Sequence, residues 1–153
     1  MLFDGPRRSL VLPALVGLIV GPSCVGAART FDAYEADAVA TAEDVRSAAA
    51  TAVLAVDASQ AERVTSNYLT VVLVEAEGAA GSAEAQFTSV QPPGPDADRL
   101  SRELSALVED TTAVLTELRV AVRRSDLEAL PETAAPLVDL VEQLDAFALE
   151  HER

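Results

Sequence analysis

Apolar residues recur every three or four positions from Phe31 onward, at Phe31, Tyr34, Ala38, Ala42, Val45, Ala49, Ala52 and Val56. That spacing lines one face of an α-helix. Thr41 with Asp44 offers an internal cap, but the stripe runs through both, so the pattern predicts one long helix. Its face is rich in alanine, which lets a neighbouring helix come close and buries little area per residue.

The stretch from Gln60 to Val90 has a mixed period. Val64, Tyr68, Val71 and Val74 or Glu75 fit helical spacing, whereas Asn67 to Val74 is dense in β-branched and aromatic residues, as a strand would be. A strand here has no second strand-like run to pair with, so a helix is expected. Gly78 and Gly81 are expected to weaken it near its middle or to end it. Residues 89–95, with Pro92, Pro93, Gly94 and Pro95, break the helical pattern and read as a stiff connector rather than a binding loop.

Beyond the connector, Leu100, Leu104, Leu107, Thr111, Val114, Leu118, Ala121 and Ser125 alternate gaps of four and three. This is a heptad seam, flanked by Val108, Leu115 and Val122. Asp96 or Asp98 stands where it can accept from first-turn amides. Asp98 with Arg102, and Arg99 with Glu103, stand four apart as surface pairs worth ~0.2–0.5 kcal/mol each. Arg119, Arg123 and Arg124 gather at the end of the helix, where positive charge suits the dipole; an anion site is the alternative use.

Ser125 and Asp126 begin a short turn running through Leu130. Pro131 and Pro136 are not both expected in one straight helix, which predicts a kink or an irregular start. Leu137, Val141, Leu144, Ala148 and His151 then carry the four-three spacing to the C-terminus, with Leu140 and Phe147 widening the face. His151 reads as a helix-end cation or a frayed surface residue. The expected fold is all-α: an antiparallel three- to four-helix bundle with coiled-coil-like packing. Its aromatic anchors are Phe31, Tyr34, Tyr68, Phe87 and Phe147.

Residues 1–28 follow a different pattern. Arg7 and Arg8 precede an uncharged stretch from Ser9 to Ala28, in which Leu10 to Val20 is the strongly apolar run. An arginine-bearing start followed by an apolar run of ~7–15 residues is the layout of an export signal. An uncleaved membrane anchor, the competing reading, needs ~20 mostly apolar residues, and Gly21, Pro22 and Gly26 dilute the second half. Arg7-Arg8-Ser9-Leu10-Val11 resembles the core of a twin-arginine signal. Val20-Gly21-Pro22-Ser23-Cys24 resembles in part the lipobox of bacterial lipoproteins, whose cysteine is cleaved before and then acylated. Ser23 fits that pattern, while Gly21 and Pro22 depart from it. The alternatives are ordinary cleavage after Ala27 or Ala28, which removes Cys24, and a cysteine without a role. The chain therefore divides into a signal at 1–28, of lipoprotein type or ordinary, and an acidic helical bundle at 29–153.

Charge narrows the partners. Twenty-five acidic and 11 basic residues, all of the latter arginine, give a formal net charge of −14. Such a surface repels nucleic acids and anionic headgroups. An apolar fraction of 50% excludes an acidic disordered chain. With one cysteine and one histidine, neither a disulfide framework nor a multi-histidine metal site is expected. The lack of lysine beside abundant alanine, arginine and valine points to a GC-rich bacterial genome.

No catalytic, cofactor-binding or metal-ligating residue is assigned, and no cofactor is expected. Acidic pairs such as Asp139 with Glu142, or Glu109 with Asp110, arise by chance on any acidic helix. The expected function is that of an exported envelope protein acting through contacts with an unidentified protein rather than through catalysis. Its place is the outer face of the cytoplasmic membrane or the cell envelope, tethered by lipid at Cys24. The alternative is a soluble secreted bundle that binds a small apolar ligand.

Overall fold

Thr30 opens the first helix: its hydroxyl accepts from the Ala33 amide at 3.3 Å, satisfying one of the orphan first-turn donors. The computed structural model describes residues 30–152. Within them lie four helices, α1 (Phe31–Gln60), α2 (Ser66–Thr88), α3 (Pro95–Arg123) and α4 (Leu130–His151), and no strand. Arg7, Arg8 and Cys24 lie outside the described residues.

The helices pack on one another. α1 meets α2, α3 and α4, and α3 meets α2 and α4, while the backbones of α2 and α4 stay more than 8 Å apart. The ring of Tyr34, near the start of α1, packs in a tilted arrangement 5.1 Å from that of Phe87, near the end of α2, so these two helices run in opposite directions. Glu35 near the start of α1 meets His151 at the end of α4, giving the same sense there.

The alanine stripe of α1 is buried as its period predicts: Tyr34, Ala38, Ala42, Val45, Ala49, Ala52 and Val56 all face the core. Phe31 does not, being 38% exposed at the first turn. The helix ends where Glu62 takes a left-handed φ of 54°, with the Arg63 amide donating back to the Ala58 carbonyl at 2.8 Å. Ser125, at φ 60°, ends α3 in the same way, with the Asp126 amide on the Ala121 carbonyl at 3.0 Å.

The valine-rich segment 67–74 is helical, because a lone strand would leave its backbone groups unpaired. Gly78 and Gly81 neither end α2 nor take positive φ; the helix continues to Thr88. The buried line of α2 is Leu69, Leu73, Ala76, Ala80, Ala83 and Phe87. Tyr68, Val71 and Val74, which also fit a helical period, face outward instead.

In α3 the seam rotates. Leu100, Leu104, Thr111 and Leu118 are buried as expected, but Val108, Leu115 and Val122 replace Leu107, Val114 and Ala121, and Ser125 is exposed. A straight helix at 3.6 residues per turn drifts ~20° per heptad, so a strict 3.5-residue line cannot stay on the core. Pro95 takes the first turn of α3, where its missing N–H costs nothing. Gly94, not Asp96 or Asp98, occupies the cap position, and Asp96 instead pairs with Arg99 at 3.1 Å on the surface.

Both prolines of the last segment lie within α4. Pro131 sits in the first turn, where no intrahelical N–H bond is lost; Pro136 is exposed, so the carbonyl it leaves unpaired stands on the solvent side. Leu137, Leu144 and Ala148 are buried, together with Leu140 and Phe147.

Candidate functional surface

Three polar contacts tie the helices together. Between α2 and α3, the Glu77 carboxylate accepts from Arg119, with Nη2 at 3.3 Å, and from the Thr116 hydroxyl at 2.8 Å. Arg119 is thus a cross-helix partner and not a helix-end cation. Its hydrogen bond is the largest influence holding the Glu77 carboxyl below the ordinary value of 4.5. Partial burial opposes it, while Thr116 and the charge of Arg119 reinforce it. The stabilisation from a depressed carboxyl is complete above the ordinary value and disappears as pH falls through the lowered one. Glu77→Gln is therefore expected to cost about 1–3 kcal/mol at neutral pH, as for hydrogen bonds to charged groups. The variant should also lose part of the acid-induced drop in melting temperature, which thermal unfolding across the acid range would show.

Between α1 and α4, Arg46 Nη1 donates to Asp145 at 2.7 Å. His151 Nδ1 lies 2.9 Å from Glu35 Oε1, and its ring packs tilted against that of Phe147 at 4.7 Å. A carboxylate only accepts, so Nδ1 carries the proton. His151 is therefore a partnered, half-buried residue that holds the C-terminus to the start of α1, and not a frayed end. Asp139, Glu142, Glu109 and Asp110 are exposed. Among the described residues no group of three or more acidic, histidine or cysteine side chains is placed to hold a metal ion.

The chemistry of the surface is unevenly distributed. Exposed positions of α3 include Asp98, Arg102, Glu103, Glu109, Asp110 and Glu117, and those of α4 include Glu132, Asp139, Glu142 and Glu150. On α2, Glu75 is the only charged residue at an exposed position. Tyr68, Val71 and Val74 are 56%, 54% and 50% exposed on the same helix. Scattered apolar residues are normal on a surface; here they form a charge-poor run that sets this face of α2 apart from the acidic faces of α3 and α4. The signal was present in the sequence: Val64 to Val74 contains no charge, and Tyr68, Leu69, Val71, Val72, Leu73 and Val74 make the segment apolar on all sides. Only packing shows which side is left over.

Beside this face, a groove of about 570 Å³ runs between α1 and α2. Ala48, Ala76, Ala79 and Ala83 line it together with Asp44, Thr51, Tyr68 and Glu75.

Gly78 lies at the middle of the outward face, and a Cβ there would meet nothing within 4 Å. Gly78→Ala is expected to stabilise the folded chain by roughly 0.5–1 kcal/mol, the usual helix-interior difference between the two residues. Urea unfolding of the dilute protein would show a higher midpoint at unchanged slope.

No protein-family model matches the chain, and neither a curated protein nor a solved structure matches it. No helix of the described residues is long and apolar enough to cross a membrane.

Proposed function

We propose that the protein is an exported bacterial envelope protein, an antiparallel bundle with coiled-coil-like packing, tethered by lipid at Cys24 and acting through protein contacts rather than catalysis. The observation that carries the contact reading is the outward face of α2, charge-poor and apolar on an otherwise acidic surface. Such a face is suited to another protein surface, since desolvating it costs little and no carboxylate is buried unpaired. The tether rests on the uncharged segment from Ser9 to Ala28 and on the position of Cys24 just after its apolar run. A lone thiol on an exported protein is an oxidation liability, and acylation removes it.

Intact-mass measurement of membrane fractions from the native host, with and without Cys24→Ala, tests the tether. The expected result is a mature chain that begins at Cys24 and carries lipid, with the variant released from the membrane. An unacylated chain beginning at Ala28 or Arg29 overturns it.

One observation favours the soluble, ligand-binding reading: the α1–α2 groove falls in the ~300–1,000 Å³ range of small-molecule sites. Such sites bury most of the ligand, and this groove is an open trough. Native mass spectrometry of the secreted protein, with organic extraction, would reveal a bound apolar molecule if this reading holds.

A further inference from the structure

We propose that the outward face of α2 pairs two copies of the chain, with the two α2 helices running in opposite directions about a two-fold axis at Gly78. This rests on the reading of that face as a protein-contact surface and names its partner. Asn67, Val71, Val74, Gly78, Gly81 and Ala85 follow one another at gaps of four and three along the side of α2 turned away from Leu69, Leu73 and Ala80. That is the line a second helix would follow. It carries no charge over its whole length.

The two halves of the line differ in size, and this points to a second copy. The N-terminal half holds the exposed valines, and the C-terminal half holds Gly81 and Ala85. A two-fold axis at Gly78 places Val71 opposite Ala85 of the second copy and Val74 opposite Gly81 and Ser82, so bulk meets space at both ends. An isologous contact needs this kind of self-complementarity. At the axis glycine meets glycine, where a Cβ has nothing within 4 Å inside the molecule, so no internal contact calls for a glycine.

Charge supports the same arrangement. Two copies at net −14 repel each other, and pairing through exposed faces of α3 or α4 brings carboxylates such as Glu109 and Glu142 into the contact. In the opposed α2 pair, Glu75 faces Gly81 of the other copy, and no carboxylate faces its mate. A pair running in the same direction sets Glu75 level with Glu75, valine on valine at one end, and Gly81 on Gly81 and Ala85 on Ala85 at the other, so bulk no longer meets space. A basic partner would find almost no carboxylate on this face to recognise.

Size sets the strength. A 23-residue helix is ~35 Å long, and one helix seam buries less than the ~800 Å² per partner of a standard interface. The pair is therefore expected to dissociate on dilution and to strengthen as salt screens the repulsion.

Sedimentation of the full chain over a concentration series, at low and high salt, tests the pairing. A monomer–dimer equilibrium that moves toward dimer with salt is expected. Val74→Arg, at an exposed position, should weaken it at least about tenfold while circular dichroism stays helical. Thiol cross-linking in a Cys24→Ala background reads the direction. Gly78→Cys should form a disulfide dimer under a mild oxidant, whereas Val71→Cys should do so only when mixed with Ala85→Cys. A chain that stays monomeric at all concentrations overturns the proposal, as does a dimer indifferent to Val74→Arg. So does a Val71→Cys chain that cross-links alone as fast as Gly78→Cys. These measurements do not depend on the fate of Cys24, so the tether and the pairing can fail separately.

Discussion

Leu104→Ala is expected to destabilise the bundle by about 2–5 kcal/mol, the range for leucine truncation in a packed core. Leu104 is fully buried in α3, whose neighbours are α2, α4 and the diagonally placed α1. The removed side chain leaves a cavity that rigid helices only partly close. Domains of this size are stable by only about 5–15 kcal/mol, so the loss is a large share of the total. Leu149→Ala provides the contrast: that leucine is 65% exposed, and its removal should change stability by no more than about 0.5 kcal/mol. Urea unfolding of both variants checks the pair; equal shifts would contradict the assignment of Leu104 to the core.

The second large effect has the opposite chemistry. Ala49→Leu should destabilise by about 1–3 kcal/mol through overpacking, even though it adds apolar surface. Ala49 is fully buried on the helix that touches all three others, so α1 cannot withdraw from the added bulk without loosening its contacts with its neighbours. Ala36→Leu, at an exposed position of the same helix, should be nearly neutral. Thermal unfolding would separate the two, and a stabilised Ala49→Leu chain would mean that α1 packs more loosely than its alanines imply. Together the two variants describe a core in which leucines of α2, α3 and α4 supply bulk and alanines of α1 supply proximity.

The legibility of the chain varied with the strength of its local pattern. α1 was readable along most of its length: the stripe from Tyr34 to Val56 is buried as its spacing requires, whereas Phe31 is exposed and Ala48 and Ala55, off the stripe, are buried as well. α3 was readable as a helix, and beyond Leu104 its buried line keeps Thr111 and Leu118 but takes Val108, Leu115 and Val122 in place of Leu107, Val114 and Ala121, which are only partly buried against the core. Pro131 and Pro136, expected to give a kink or an irregular start, both lie within α4: a proline in the first turn loses no intrahelical N–H bond, and an exposed carbonyl left by the second faces water. Arg119 looked like a helix-end cation until α2 brought Glu77 to it. His151 looked like a frayed end until α1 brought Glu35 within hydrogen-bonding distance. Cross-helix pairs of this kind have no signature in the spacing of either helix.

The sequence by itself determined the class of structure. Apolar spacing of three and four, strong helix formers and a proline-rich break specify helices locally, and the absence of a second strand-like run excluded a sheet. It also placed the uncharged stretch from Ser9 to Ala28 and the acidity of the remainder. Tertiary structure alone decided which face of α2 is buried. A segment with apolar residues on every side satisfies the core equally well in several rotations, and only the positions of α1 and α3 select one. That selection leaves Tyr68, Val71 and Val74 outside, and with them the surface through which this protein is proposed to act.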